Sequence, residues 1–89
     1  MPEGKLKYVT ELDSWRIVDK KDNEYEPNPC YIDTYFKNYN YYEPGIIACQ
    51  LEEYQTKEPG WYVQFHDISF RLDKSQIYEV FFNCWEPTF

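Results

Sequence analysis

Histidine and cysteine, the side chains best suited to nucleophilic and metal chemistry, are scarce in this chain. His66 is the only histidine, so a Ser-His-Asp or Cys-His catalytic site would have to include it. It stands beside Asp67 in an alternating apolar run, which is typical of a strand, and no catalytic motif surrounds it. We therefore expect a protein without enzyme activity and without catalytic residues.

The sequence offers no metal-binding or cofactor-binding motif. Cys30, Cys49 and Cys84 lie 19 and 35 positions apart, without the two-residue spacing of zinc knuckles. The acidic stretch 19–24 lacks the alternating ligands and the glycine of a calcium loop. We expect no metal and no cofactor. We also expect three reduced, inert thiols, with one disulfide and a spare thiol as the alternative.

Negative charge is the strongest chemical signal in the sequence. The 89 residues include 16 Asp and Glu but only 9 Lys and Arg, for a net charge of −7. Residues 22–60 hold eight acidic residues and two lysines, and therefore carry −6. Such a charge is suited to a basic partner and repels nucleic acid and anionic membranes.

Seven of the ten tyrosines fall in the same acidic segment. In extended chain, carboxylates two residues apart lie on one side about 6.6 Å from each other, so a row of them resembles the charge density of a nucleic-acid backbone. Interleaved tyrosines add the flat, amphipathic area that is typical of binding hot spots. The sequence predicts a partner-binding surface made of Asp22, Glu24, Glu26, Asp33, Glu43, Glu52, Glu53, Glu58, Tyr25, Tyr35 and Tyr39. The alternative is that acidic loops only keep an aromatic-rich domain in solution.

These features favour a small binding protein. The composition is similar in kind to the small acidic inhibitors that viruses of bacteria use against host factors, a similarity of charge and size that no motif supports. We expect a cytoplasmic inhibitor of a basic, nucleic-acid-handling protein, acting in the host cytoplasm if the protein is viral. We expect no direct binding to nucleic acid or membrane. Two alternatives are an aromatic pocket that sequesters a nucleotide-like ligand, and a self-assembling structural subunit, for example a homodimer.

The length predicts a single globular domain over residues 1–89. Aromatic residues make up 21% of the chain, which is the reverse of a disordered acidic protein. No apolar run approaches the roughly 18 residues of a membrane span. The N-terminus resembles no signal peptide, so we expect the chain to begin at or near Met1.

Two Glu-Pro-Gly sequences, at 43–45 and 58–60, predict type II turns in which glycine adopts a positive φ. Apolar alternation follows each turn, and the two runs are expected to pair as a hairpin across the loop 56–60. The alternation then changes phase, which requires a bulge or tight turn near His66. The residues that we expect to be buried are Ile47, Leu51, Trp61, Val63, Phe65, Ile68, Phe70 and Leu72.

Three further strands are expected, at residues 6–10, 15–19 and 76–85. The last of these would place Tyr78, Val80 and Phe82 on one face, and a C-terminal helix is its alternative.

The best helix candidate is the segment 28–39. Asn28 can cap it, Pro29 suits its first position, and an apolar stripe with a period of 3.6 residues includes Phe36 and Tyr39. The predicted fold class is therefore α+β and β-rich: a four- to six-stranded antiparallel sheet with one helix or aromatic loop packed on a face.

Overall fold

A computed structural model describes residues 2–27, 32–39, 42–48 and 60–84 of the chain. Within these ranges the strands are Glu3–Val9 (β1), Ser14–Asp19 (β2), Glu24–Tyr25 (β3), Ile32–Phe36 (β4), Ile46–Ala48 (β5), Tyr62–Gln64 (β6), Ser69–Arg71 (β7) and Tyr78–Cys84 (β8). The one helical element in the described ranges is a short 3₁₀ helix, Thr10–Leu12. None of the described helical structure has the length and apolar character needed to cross a membrane.

The strands form two antiparallel sheets. The larger sheet has five strands in the order β3-β2-β1-β8-β4, and the smaller has three in the order β5-β6-β7. All their pairings are antiparallel. The prediction of a β-rich domain with a four- to six-stranded antiparallel sheet is thus confirmed. The sequence did not indicate that the remaining strands form a separate sheet.

The strands predicted for the first twenty residues and for residues 76–85 are confirmed as β1, β2 and β8. On β8, the side chains of Tyr78, Val80 and Phe82 are all buried, as the alternation predicts. The helix alternative for this segment is wrong, because β8 pairs with both β1 and β4.

The helix predicted for residues 28–39 is wrong. Ile32–Phe36 is strand β4, which pairs with β8, and residues 28–31 lie outside the described part of the chain. Thr34 and Phe36 are buried at 1% and 0% exposure, and the residues beside them are less buried, so the period is two. The stripe with the helical period was misleading because adjacent aromatic residues, the half-buried Tyr35 and the buried Phe36, lie on opposite faces of this strand.

The predicted hairpin is confirmed in its strands, because β5 pairs with β6 and Ile47 lies opposite Val63. The connection between them lies mostly outside the described residues. The predicted change of phase is a tight turn, in which the N–H of Phe65 donates to the carbonyl of Ile68 at 2.8 Å. His66 is one of its two central residues.

The predicted core is confirmed at most of the described positions. Ile68 is the exception, with 61% exposure. Its carbonyl accepts the hydrogen bond that closes the turn, so the backbone fixes the position of Ile68 and its side chain stays exposed. Trp61 and Phe70 are half-buried and pack against the core, and Leu51 lies outside the described residues. The predicted positions that are buried are Ile47, Val63, Phe65 and Leu72.

Phe36 lies where the two sheets meet. Its side chain has no exposed surface. The centre of its ring is 5.6 Å from that of Phe70 and 6.2 Å from that of Phe65. Both residues belong to the β6–β7 hairpin of the smaller sheet. On the larger sheet, the ring of Tyr78 lies 6.1 Å away. These edge-to-face contacts are the favourable geometry for aromatic pairs, and they join the sheets into one core.

The positive φ expected of the glycine in each Pro-Gly turn is not found, at Gly45 or at Gly60. Gly45 is required for close packing instead. A Cβ atom at this position would lie 2.5 Å from Cγ1 of Val63, far inside van der Waals contact. The N–H of Gly45 also donates to the carbonyl of Thr34 at 2.8 Å, so the backbone that leads into β5 is bonded to β4.

We predict that Gly45→Ala lowers the free energy of unfolding by about 1–3 kcal/mol, because the added methyl group overpacks the core against Val63. Gly60→Ala is the matched control. There a Cβ would meet Nε of Arg71 at 2.9 Å, and this flexible side chain can move away. We expect a change within about 0.5 kcal/mol for the control. Urea denaturation measures both, and equal losses would contradict the assignment of Gly45 to the junction.

Candidate functional site

The β2–β3 hairpin places three of the predicted site residues, Asp22, Glu24 and Glu26, at one edge of the larger sheet. β3 is the last strand on that side, and all three side chains are exposed. Glu26 lies 3.6 Å from Arg16, whereas Asp22 and Glu24 have no ion-pair partner among the described residues. We refer to Asp22, Glu24 and Glu26 as the acidic edge.

The carboxylate of Asp19 holds this hairpin together. Its Oδ1 accepts the backbone N–H of Lys21 at 2.8 Å and that of Asn23 at 2.9 Å. Its Oδ2 accepts the side-chain amide of Asn23 at 3.1 Å and the hydroxyl of Tyr25 at 3.0 Å. Desolvation acts to raise the pKa of Asp19, but these hydrogen bonds together outweigh it and hold the pKa below its ordinary value of 3.8.

The turn itself depends on Asp22, which adopts the left-handed conformation with φ 63°. Aspartate tolerates this conformation better than most residues because its side chain is short and polar. The N–H of Asp22 donates to the carbonyl of Asp19 at 3.1 Å, and the N–H of Asp19 donates to the carbonyl of Asn23 at 3.0 Å. These bonds fix the geometry in which the acidic edge is presented.

Asp33 is separated from the acidic edge. It lies on β4, opposite Asn83 of β8, and β4 is the last strand on the other side of the larger sheet. Four interstrand spacings separate β3 from β4, which is about 19 Å. The acidic segment therefore does not form one continuous row of charge across the described sheet.

Glu43 makes a structural contact. It is half-buried, and its carboxylate accepts the backbone N–H of His66 at 3.0 Å. This bond ties the segment before β5 to the turn between β6 and β7. The side chain of His66 is exposed in that turn. The remaining predicted acidic site residues, Glu52, Glu53 and Glu58, lie outside the described residues.

The three predicted tyrosines lie in different surroundings. Tyr25 packs its ring 4.9 Å from that of Phe82 in the core, so much of its contact area is used internally. Tyr35 is half-buried and lies opposite Phe81 of β8. Tyr39 is 50% exposed, and its ring stacks on Phe70 at 4.1 Å with an angle of 16° between the planes. The described structure does not gather these rings into one patch.

The sequence analysis missed a group of cations on the outer face of the larger sheet, the face opposite the core. Lys5 and Lys7 lie on β1, alternating with the buried Leu6, and Arg16 of β2 lies directly opposite Lys7. The alternation of Lys5, Leu6 and Lys7 was the available signal. It could not show that β1 is a central strand, which places these cations between the acidic edge on one side of the sheet and Asp33 on the other.

Glu3 forms ion pairs with two further cations, Lys37 and Lys20. Its carboxylate lies 2.9 Å from Nζ of Lys37 and 3.4 Å from Nζ of Lys20. The hydrogen bond and charge of Lys37, followed by those of Lys20, hold the pKa of Glu3 below its ordinary value. Lys37 also lies over the ring of Phe81, 4.6 Å from its centre. The single carboxylate of Glu3 is therefore shared by Lys20 and Lys37.

Among the described residues, no group of three or more His, Cys, Asp or Glu side chains could hold a metal ion. The side chains of the three cysteines are not described, so the state of the thiols stays a prediction. Comparison with protein-family models, with curated proteins and with solved structures finds no match to this chain. Its function therefore has to be inferred from the chemistry of its surface.

We predict that Asp19→Asn removes part of the acid sensitivity of the fold. The pKa of Asp19 is lower in the folded chain than its ordinary 3.8, so the ionised carboxylate stabilises the fold above that pH. This stabilisation is lost as the pH falls from 3.8 through the folded-state pKa. Asp19→Asn should therefore be less stable than the wild type at pH 7 and lose less stability on acidification.

Urea denaturation at a series of pH values measures this difference. Asp22→Asn is the control, since the exposed Asp22 side chain has no described partner and asparagine tolerates its backbone conformation. We expect its stability at pH 7 to stay within about 0.5 kcal/mol of the wild type. Parallel pH curves for the wild type and Asp19→Asn would show that Asp19 does not hold the hairpin.

Proposed function

We propose that this protein is a small non-enzymatic binding protein that inhibits a basic, nucleic-acid-handling partner in the cytoplasm. The acidic edge competes with nucleic acid for a basic surface of that partner. One observation carries the proposal: Asp22 and Glu24 are exposed on a hydrogen-bonded hairpin and have no cationic partner within the described chain. Carboxylates that no described cation pairs with are available to a partner outside the chain.

The spacing of the acidic edge supports this choice of partner. Glu24 and Glu26 are two residues apart in nearly extended chain, so they lie about 6.6 Å from each other on one side. This separation is comparable with the spacing of charges along a nucleic-acid backbone. A protein surface that binds phosphates with Lys and Arg would therefore meet carboxylates at similar intervals.

The acidic edge is suited to steering and orienting the partner during association more than to supplying most of the binding free energy. An exposed ion pair is worth about 0.2–1 kcal/mol, so three pairs give at most about 3 kcal/mol. A micromolar complex needs about 8 kcal/mol. Neighbouring apolar contacts must supply the rest, while the charges accelerate association and exclude wrong partners. Asp33 and Glu43 contribute less to the proposed binding surface. Asp33 lies at the opposite edge of the larger sheet, and Glu43 accepts a hydrogen bond from the backbone of His66.

The test begins with the tagged chain as bait in lysate of the producing or host cell, and mass spectrometry identifies what it retains. Each purified candidate is then measured against the wild type and against Asp22→Lys/Glu24→Lys. We expect the charge-reversed variant to bind at least tenfold more weakly, because attraction becomes repulsion. Affinity for the wild type should fall with salt, since exposed charges are screened within about 8 Å at physiological ionic strength. Duplex DNA should displace the wild type.

The matched control is Glu11→Lys/Asp67→Lys, which makes the same change in net charge at two exposed positions outside the acidic edge. It should bind the partner nearly as well as the wild type. The proposal fails if the edge variant binds as tightly as the control. It also fails if the partner holds DNA and this protein together without interference.

A further inference from the structure

The backbone of β3 is left open on one side. The N–H of Asp19 donates to the carbonyl of Asn23 at 3.0 Å, so these two residues form a hydrogen-bonded pair of the β2–β3 hairpin. Opposite residues of an antiparallel pair alternate between bonded and non-bonded pairs. Glu24, which lies opposite Val18, is therefore non-bonded and directs its N–H and carbonyl away from β2. Within the described part of the chain, neither group has a hydrogen-bond partner.

An open strand edge of this kind is a template for a further strand, because its N–H and carbonyl groups are unpaired. β3 is the last strand on its side of the larger sheet, so no described strand lies beyond it. Many peptide-binding domains use such an edge. An extended segment adds a strand to it, with main-chain hydrogen bonds for affinity and alternate side chains for specificity.

Charge decides which chain fits this edge. Residues 19–26 hold four acidic residues and two lysines, and therefore carry −2. One of these lysines, Lys20, lies 3.4 Å from Glu3 on β1. A second copy of this protein would bring another acidic hairpin against the first, and like charges directly opposite each other destabilise strand pairs. A strand with Lys or Arg opposite Glu24 gains an attractive cross-strand pair instead.

We propose that the partner of the acidic edge contributes an extended basic segment that pairs with β3 as a sixth, antiparallel strand. The inference rests on the function proposed above and names the part of the partner that binds. All pairings of the described sheets are antiparallel. In such a pairing, the residue opposite Glu24 exchanges two backbone hydrogen bonds with it. Its side chain lies on the same face, with Cβ atoms about 4.5–5.5 Å apart.

The alternation of β3 sets the sequence pattern of that segment. Glu24 and Glu26 lie on the outer face, whereas Tyr25 lies on the inner face and packs its ring on Phe82. Basic residues at every second position therefore meet the carboxylates, and apolar residues between them lie beside the half-buried Tyr25. Because Glu26 already lies 3.6 Å from Arg16, Glu24 gains most from the new cation. The apolar contacts add the free energy that exposed ion pairs lack.

The test is an NMR titration of the ¹⁵N-labelled full chain with a capped six-residue peptide in which arginine and valine alternate. Two modified peptides of equal charge and mass are compared: one is N-methylated at every arginine, the other at every valine. In the proposed pairing, the arginine N–H groups face β3 and the valine N–H groups face away from it. We expect methylation of the arginines to raise the Kd about tenfold or more, and methylation of the valines to leave it within about twofold.

Hydrogen exchange of the Glu24 amide gives a second readout. With saturating unmethylated peptide, its exchange should slow by roughly tenfold or more, because the N–H becomes bonded. Ser69 on β7, the last strand of the smaller sheet, is the control. It follows Ile68, which is bonded to Phe65, so its N–H also faces away from the neighbouring strand. The exchange of the Ser69 amide should not change.

The outcomes separate this inference from the function on which it rests. Equal Kd values for the two methylated peptides, with weaker binding of both to Asp22→Lys/Glu24→Lys, would keep the acidic edge and overturn the sixth strand. An unmethylated peptide that leaves the signals of residues 22–26 unshifted would contradict the acidic edge itself. Protection of the Glu24 amide that rises with protein concentration, without peptide, would identify a second copy as the occupant and overturn the choice of a basic segment.

Discussion

The meeting of the two sheets at Phe36 and Gly45 is the constraint on which the rest of the described structure depends. Phe36 fills the space between the sheets with its ring, and Gly45 lets the chain pass close to Val63 because it has no side chain. The bond from Gly45 to Thr34 then fixes β5 against β4. With the inner face of β4 committed to this junction, the charged side chains of the larger sheet, such as Lys5, Lys7 and Arg16, lie on its outer face.

Strand order decides how those charges are distributed. β1 and β8 lie in the middle of the larger sheet and β3 and β4 at its edges. Lysines of the N-terminal segment therefore separate the acidic edge from Asp33, which is close to it in sequence. A protein of net charge −7 thereby places Lys5, Lys7 and Arg16 on inner strands of this face, beside the acidic edge.

Much of the fold could be predicted from the sequence because alternation is a local property. Tyr78, Val80 and Phe82, or Ile47 and Val63, reveal their strands without knowledge of their neighbours. The helix expected at residues 28–39 failed because Tyr35 and Phe36, aromatic residues on opposite faces of β4, imitate a helical stripe, and only pairing with β8 resolves the choice. The sequence predicted which acidic residues and tyrosines belong to the candidate site, but not where the fold places them relative to one another. The separation of Asp33 from Glu24 depends on strand order, which arises from contacts between residues far apart in sequence.

The most direct test of the account is an NMR map of where a basic chain binds this protein. A short oligo-arginine peptide, titrated into ¹⁵N-labelled wild type at low salt, should shift the amide signals of residues 22–26 most strongly. The shifts should saturate and should weaken at physiological salt, since the contacts are exposed ion pairs. Shifts at Asp33 and Asp67 as large as those of residues 22–26 would contradict the claim that the acidic edge is the surface for a basic partner.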